Sequence, residues 1–168
     1  MTRAGFIRTR KGTRTAMKTL ISAAASTMIS GAALAQSQIT RAGTQPASIG
    51  AGEYFTGTVL VQPVFGLNAD RNFSSGSVTF LPGARSNWHS HPHGQTLVVT
   101  SGTGWTQAEG EARVTINAGD VVWCPPGIRH WHGATDSSAM THLAIQQAED
   151  TSVVDWMEPV TEAQYLGQ

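Results

Sequence analysis

Gly83-Ala-Arg-Ser-Asn-Trp-His89-Ser-His91-Pro-His93-Gly-Gln95 and, further on, Pro125-Pro-Gly127-Ile-Arg-His130-Trp-His132 decide the reading of this chain. All six histidines fall between His89 and His142. On a strand, His89 and His91 point to the same face about 7 Å apart, a reach that suits two imidazoles on one ion. Gln95 follows Gly94, whose freedom to bend lets the amide oxygen turn toward the same point. His130 lies beyond a rigid Pro-Pro-Gly turn that aims a later strand back across a barrel. Three imidazoles and one oxygen, with positions left for water or substrate, describe an open catalytic site rather than a closed structural one.

Working outward, the residues around these stretches read as β. Short runs with period-two or β-branched character are predicted as strands near Phe55–Val61, Ser77–Leu81, Thr96–Thr100, Gly104–Ala108, Ala112–Ile116, Asp120–Cys124, His130–Gly133 and Met140–Gln146. Pro82-Gly83, Ser101-Gly102, Ala118-Gly119 and Pro125-Pro126-Gly127 are expected to be the turns between them. Thr161 and Glu162 mark the start of a short terminal helix. The fold class is therefore all-β, a single sandwich or barrel.

Residues 1–18 carry Arg3, Arg8, Arg10, Lys11, Arg14 and Lys18 without an acid, and a weakly apolar stretch, Leu20 to Leu34, ends in Ala33-Leu-Ala35. This is the pattern of a secretory signal cleaved after Ala35, with Met17 as an alternative start. The stretch is too short and too rich in small residues to span a bilayer. Periplasmic or secreted localisation is expected. Residues 36–52 read as an N-terminal arm and 53–168 as the single domain. Beyond residue 35 five basic residues remain against eleven acidic ones, a formal charge of −6, which points away from nucleic acid. The lone cysteine, Cys124, excludes an intramolecular disulfide and reads as a buried small hydrophobe.

At this point the chain resembles the cupins. The first cupin motif, Gly-x5-His-x-His-x3–4-Glu-x6-Gly, is filled by Gly83, His89, His91, Gln95 and Gly102. The second, Gly-x5-Pro-x-Gly-x2-His-x3-Asn, is filled by Gly119, Pro125, Gly127 and His130, with Ala134 in the Asn position. Gln95 departs from the usual Glu. A neutral ligand leaves the ion its full charge and cannot serve as a base, which favours Lewis-acid work over redox cycling. The resemblance implies a jelly-roll barrel, with the short C-terminal helix beside it.

A narrower likeness runs through Trp88-His-Ser-His-Pro, Gly119-Asp-Val-Val-Trp, His130-Trp-His-Gly-Ala, Met140-Thr-His-Leu-Ala-Ile-Gln146 and Val154-Asp-Trp-Met-Glu158. These segments are similar to the manganese-dependent bacterial hydroxynitrile lyases of the cupin fold, whose near relatives are labelled carboxymuconolactone-decarboxylase-like cupins. That likeness implies a divalent ion, manganese first with Fe, Ni, Co or Zn as alternatives, held by His89, His91, Gln95 and His130. It also implies a pocket with His132, His142, Gln146 and Ser86, flanked by Gly76 and Val78, and a homodimer. The implied chemistry is proton removal from a cyanohydrin hydroxyl by neutral His142, with His132 or Gln146 donating to the departing cyanide.

Two other functions stay open: a metal-dependent decarboxylase or dioxygenase acting on small aromatic acids, and a non-catalytic small-molecule binder. The acid-directed enzymes would want a cationic clamp, for which only Arg85 and Arg129 are near; pairing with a rim acid is the expectation for Arg85. His93 is expected to face solvent, and the five tryptophans are expected to serve packing.

Overall fold

The hydrogen-bonding demand of so many short β runs is met by one long strand that serves both halves of a curled sheet. In the computed structural model, which describes Met1 and residues 37–150 and 152–168, the elements in chain order are β1 (Ser48–Ile49), β2 (Phe55–Thr56), β3 (Val59–Phe65), β4 (Phe73–Phe80), β5 (Arg85–Ser86), β6 (His89–Ser90), β7 (Gln95–Ala108), β8 (Val114–Asn117), β9 (Val121–Cys124), β10 (His130–Ala134), β11 (Met140–Gln147), β12 (Asp155–Trp156) and α1 (Glu162–Leu166). The main strand order is β1-β3-β4-β11-β7-β10-β5-β2. Apart from Met1, the segment read as a signal lies outside the described residues.

β7 is where the expectation of a turn at Ser101-Gly102 is corrected. Its first half pairs with β11, from Gln146 opposite Gln95 to Met140 opposite Gly102, and its second half pairs with β10, from Ala134 opposite Gly104 to His130 opposite Ala108. The two predicted strands are thus one, which passes from one half of the sheet to the other without reversing. Gly102 permits this. Its φ is +75°, and a Cβ there would sit 1.9 Å from the Ala139 carbonyl oxygen, so the bend needs a residue without a side chain.

Other boundaries move for similar reasons. Phe55–Val61 divides at Gly57, whose φ of +79° turns the chain between β2 and β3. β4 begins at Phe73, because small polar residues from Ser74 to Ser77 that show no alternation are carried by pairing with β11 on one side and β3 on the other. The strand expected over Ala112–Ile116 is Val114–Asn117. Within the arm, β1 pairs with β3.

Alternate residues of β4, β7 and β11 point inward, and Val59, Val78, Phe80, Leu97, Val99, Met140 and Ala144 pack into one core. A second cluster, Trp88, Trp131, Val160 and Tyr165, seals the other half against α1. That helix starts with a capping box between Thr161 and Gln164 and ends at Gly167 in the left-handed region, as the terminal-helix reading expects. Tyr165 donates its hydroxyl to the Ala134 carbonyl at 3.0 Å, so α1 is locked onto β10, the strand that carries His130 and His132.

Candidate functional site

β6 and β10 are register partners at His89 and His130, so two imidazoles face each other across adjacent strands, ring centroids 4.3 Å apart. His91 follows just past the end of β6, its ring 5.2 Å from that of His89 and 5.4 Å from that of His130. Gln95 opens β7 after the Pro92–Gly94 turn. Gly94 has φ +78°, and a Cβ there would meet the Trp123 ring and the Cys124 carbonyl, so the turn that presents Gln95 requires glycine. All four side chains are buried.

Each of the three rings is oriented the same way. The Nδ1–H of His89 donates to the Asn87 carbonyl at 2.9 Å, that of His91 to Val153 at 2.5 Å and that of His130 to Ile128 at 2.9 Å. A carbonyl only accepts, so each proton sits on Nδ1 and each Nε2 keeps its lone pair. The His91 Nε2 is buried with no hydrogen-bond partner among the described residues, and the His130 Nε2 faces the Gln95 Oε1 at 3.4 Å, two lone pairs aimed at one another. Bare nitrogens and an amide oxygen converging inside a core are costly unless a cation sits among them. Among the described residues, the histidines with one ring nitrogen apiece all within 4.8 Å of one another are His89, His130 and His132, a trio that fits a divalent ion; His91, which the likeness places in the ligand set, is outside that trio. Electrostatics agree: burial holds His130 down to about 4, and burial followed by the charge of His130 holds His89 well below the usual imidazole range, so these groups stay neutral and ligand-competent.

His132 stands two residues beyond His130 on β10 and therefore on the same face. A ring nitrogen of His132 lies within 4.8 Å of ring nitrogens on both His89 and His130. Its Nδ1 is 3.1 Å from the Nε2 of His142, and the two atoms share one proton. The outer nitrogens of the pair, His132 Nε2 and His142 Nδ1, are buried and have no hydrogen-bond partner among the described residues. Burial pushes His142 down to about 4 and His132 well below the ordinary value. Gln146, opposite Gln95 across β11 and β7, accepts from the Gln95 amide at 3.2 Å.

These groups border a cavity of about 160 Å³ whose walls include His89, His91, Gln95, His132, His142 and Gln146 at the polar end, with Gly76 and Val78 beside them. Ser86 is placed differently from the sequence expectation. It is not among the lining residues, and its Oγ accepts the His132 backbone N–H at 3.2 Å, so it stands behind His132 and fixes the strand that carries it.

The sequence reading missed the apolar half of the wall: Phe55, Val61, Ala144, Val154 and Trp156. Trp156 also corrects the expectation that all five tryptophans serve packing, as does Trp123, which is 57% exposed. Arg85 donates to the Val160 carbonyl and to Glu162 at 3.0 Å, and Arg129 pairs with Glu109 and Glu158, so both expected cations are engaged away from the cavity. His93 is exposed. Cys124 is buried, and burial raises its thiol to about 12, which leaves it inert.

A jelly-roll barrel with imidazoles from two facing strands at its centre defines the class to which this molecule belongs. The model of the cupin domain matches residues 76–146. A protein named (R)-mandelonitrile lyase from Granulicella tundricola is 53% identical over 128 residues, covering 76% of this chain and 98% of that protein. A cupin-like protein of known structure from Thermotoga maritima is 38% identical with a TM-score of 0.66, covering 71% of this chain and 91% of the other. A cupin-2 domain protein from Rhodospirillum rubrum, 23% identical, shares the fold with a TM-score of 0.59 over 79% of this chain and 85% of its own. The chain belongs to the cupin family.

Proposed function

We propose that this chain is a metal-dependent carbon–carbon lyase that cleaves a small cyanohydrin to an aldehyde and hydrogen cyanide, and catalyses the reverse addition. The observation that carries the reading is the buried His132–His142 pair, whose outer nitrogens have no hydrogen-bond partner among the described residues, set into the same cavity as His89, His91 and Gln95. The likeness to a protein named for this activity supports it.

His89, His91, Gln95 and His130 would hold the ion, with manganese first and Fe, Ni, Co or Zn served by the same donors. When bound, a divalent ion supplies Lewis-acid polarisation of a substrate oxygen. The proton work belongs to the pair. His142 Nδ1 takes the hydroxyl proton, the carbon–oxygen bond becomes a carbonyl, and the carbon–carbon bonding pair leaves with cyanide. The proton on His142 Nε2 passes to His132 Nδ1, and the proton on His132 Nε2 goes to cyanide. One proton enters and one leaves, so the pair changes tautomer without acquiring charge, which suits imidazoles that burial holds neutral. Gln146 offers its amide N–H to the departing anion. Ser86 acts through His132, by holding its backbone.

The decarboxylase and dioxygenase readings for aromatic acids lose support because neither Arg85 nor Arg129 borders the cavity. The basic and then apolar residues 1–35 support an exported location for the domain. The test is aldehyde release from mandelonitrile by the manganese-loaded protein, against a Gln95→Ala, His130→Ala control. Release well above the control is expected. None from fully metallated protein removes the lyase reading and leaves a binding role.

A further inference from the structure

Trp156 lies on β12, outside both histidine motifs and outside the stretch matched by the cupin model. The chain around it is laced onto the first motif residue by residue. Trp156 pairs with His89 and Asp155 with Ser90. The Met157 N–H donates to Trp88 at 2.9 Å, the Trp88 N–H to Glu158 at 3.1 Å, and the Asn87 amide to Met157 at 3.2 Å. The Val153 carbonyl holds the Nδ1–H of His91.

This lacing fixes the indole beside the ion-binding end of the cavity, its centroid 5.0 Å from the His89 ring. Two aromatic rings pack on it: Tyr54 stacks on it at 4.8 Å and 20°, and Phe55 meets it edge-on at 5.5 Å and 71°. Phe55 and Trp156 both line the cavity, where Val61, Val78 and Ala144 add apolar surface beside the imidazoles. A cavity of about 160 Å³ with such walls is of the size that admits a single benzene-sized ring. A ring held by edge-to-face or offset contact gains more from an indole than an alkyl group does, because the quadrupoles are complementary.

We infer that Trp156, with Phe55, forms the subsite for an aryl group on the substrate, and that Trp156 is the residue that makes this cavity prefer aryl over small alkyl ligands. The inference deepens the lyase reading, yet the binding it describes does not require turnover.

The test measures binding of benzyl alcohol and of 1-propanol to the metal-loaded full chain by calorimetry, in wild type, Trp156→Ala, Trp156→Phe and Trp156→Leu, with metal content determined for each. The expected result is that Trp156→Ala weakens benzyl alcohol binding about tenfold, the scale of one aromatic contact, and moves propanol by less than about twofold on the same scale. Trp156→Phe should retain most of the aryl preference. Trp156→Leu, which fills space without a ring, should lose it and keeps the test valid if the alanine variant does not fold. Equal loss for both ligands, no loss for either, or loss of the metal would overturn the inference and make Trp156 a brace for His89. If wild type binds benzyl alcohol and cleaves no cyanohydrin, the lyase reading fails and the aryl subsite stands. If wild type shows no aryl preference, the subsite fails whatever the turnover.

Discussion

The Gln95 side-chain amide donates to the Gln146 Oε1 at 3.2 Å, and this fixes which end of Gln95 faces the histidines. With its nitrogen committed to Gln146, its oxygen points at the His130 Nε2. Gln146→Leu removes the acceptor and lets the amide turn, so divalent-ion affinity should fall roughly ten- to a hundredfold, as for other groups that orient a ligand. Gln146→Glu still accepts and should keep the affinity. A metal-buffered titration decides, and equal affinity in the leucine variant would remove this role.

His132→Ala and His142→Ala should each lower kcat/KM for mandelonitrile by about 10²- to 10⁴-fold, the range of a positioned acid–base group. Because the two rings share one proton, the double variant should be no worse than the poorer single. Metal content should match wild type throughout. Steady-state kinetics beside elemental analysis checks this, and additive losses would mean the rings act separately.

Metal removal should loosen the fold at its centre, where the His91 Nε2 is buried with no hydrogen-bond partner among the described residues. Adding the ion at a hundred times its Kd should raise the unfolding free energy by about 2.7 kcal/mol over the chelated protein. Thermal melts with and without chelator, across a metal series, measure it. An unchanged Tm would argue that these donors hold no ion.

Acid should destabilise the apo domain within a defined window. Burial holds His130 and His142 at about 4 when folded, whereas in the unfolded chain each titrates near about 6.5. Between those values the unfolded state binds more protons, so stability rises with pH there and is flat above. Tm should therefore fall as pH drops below about 6.5 and continue falling toward about 4. A Tm that stays level from neutrality down to that lower limit would contradict the burial argument.

Gly102→Ala should cost roughly 1–3 kcal/mol of unfolding free energy, since it places a side chain at φ +75° and against the Ala139 carbonyl. Urea unfolding measures this, and a cost near zero would show that β7 can bend without glycine.

What the sequence determined by itself is the part with local periodicity. His89, His91, Gln95 and His130 sit at fixed spacings beside turn residues, and Met140–Gln146 alternates cleanly, so the residues that form this buried polar cluster and the strand that carries His142 were readable without coordinates. Thr161 announced its helix in the same way, through a cap that depends on residues three apart. What only the tertiary structure decided depends on contacts between distant segments. Ser86 binds the backbone of His132 rather than facing the cavity, because pairing through Gly133 sets β5 against β10. Ser101-Gly102 continues a strand because β11 and β10 flank it in succession, a fact held in pairing and not in propensity. Trp156 becomes a cavity wall because β12 returns across the whole domain to pair with His89. Alternation says which face a side chain occupies; which neighbour lies on that face is settled when the sheet curls shut.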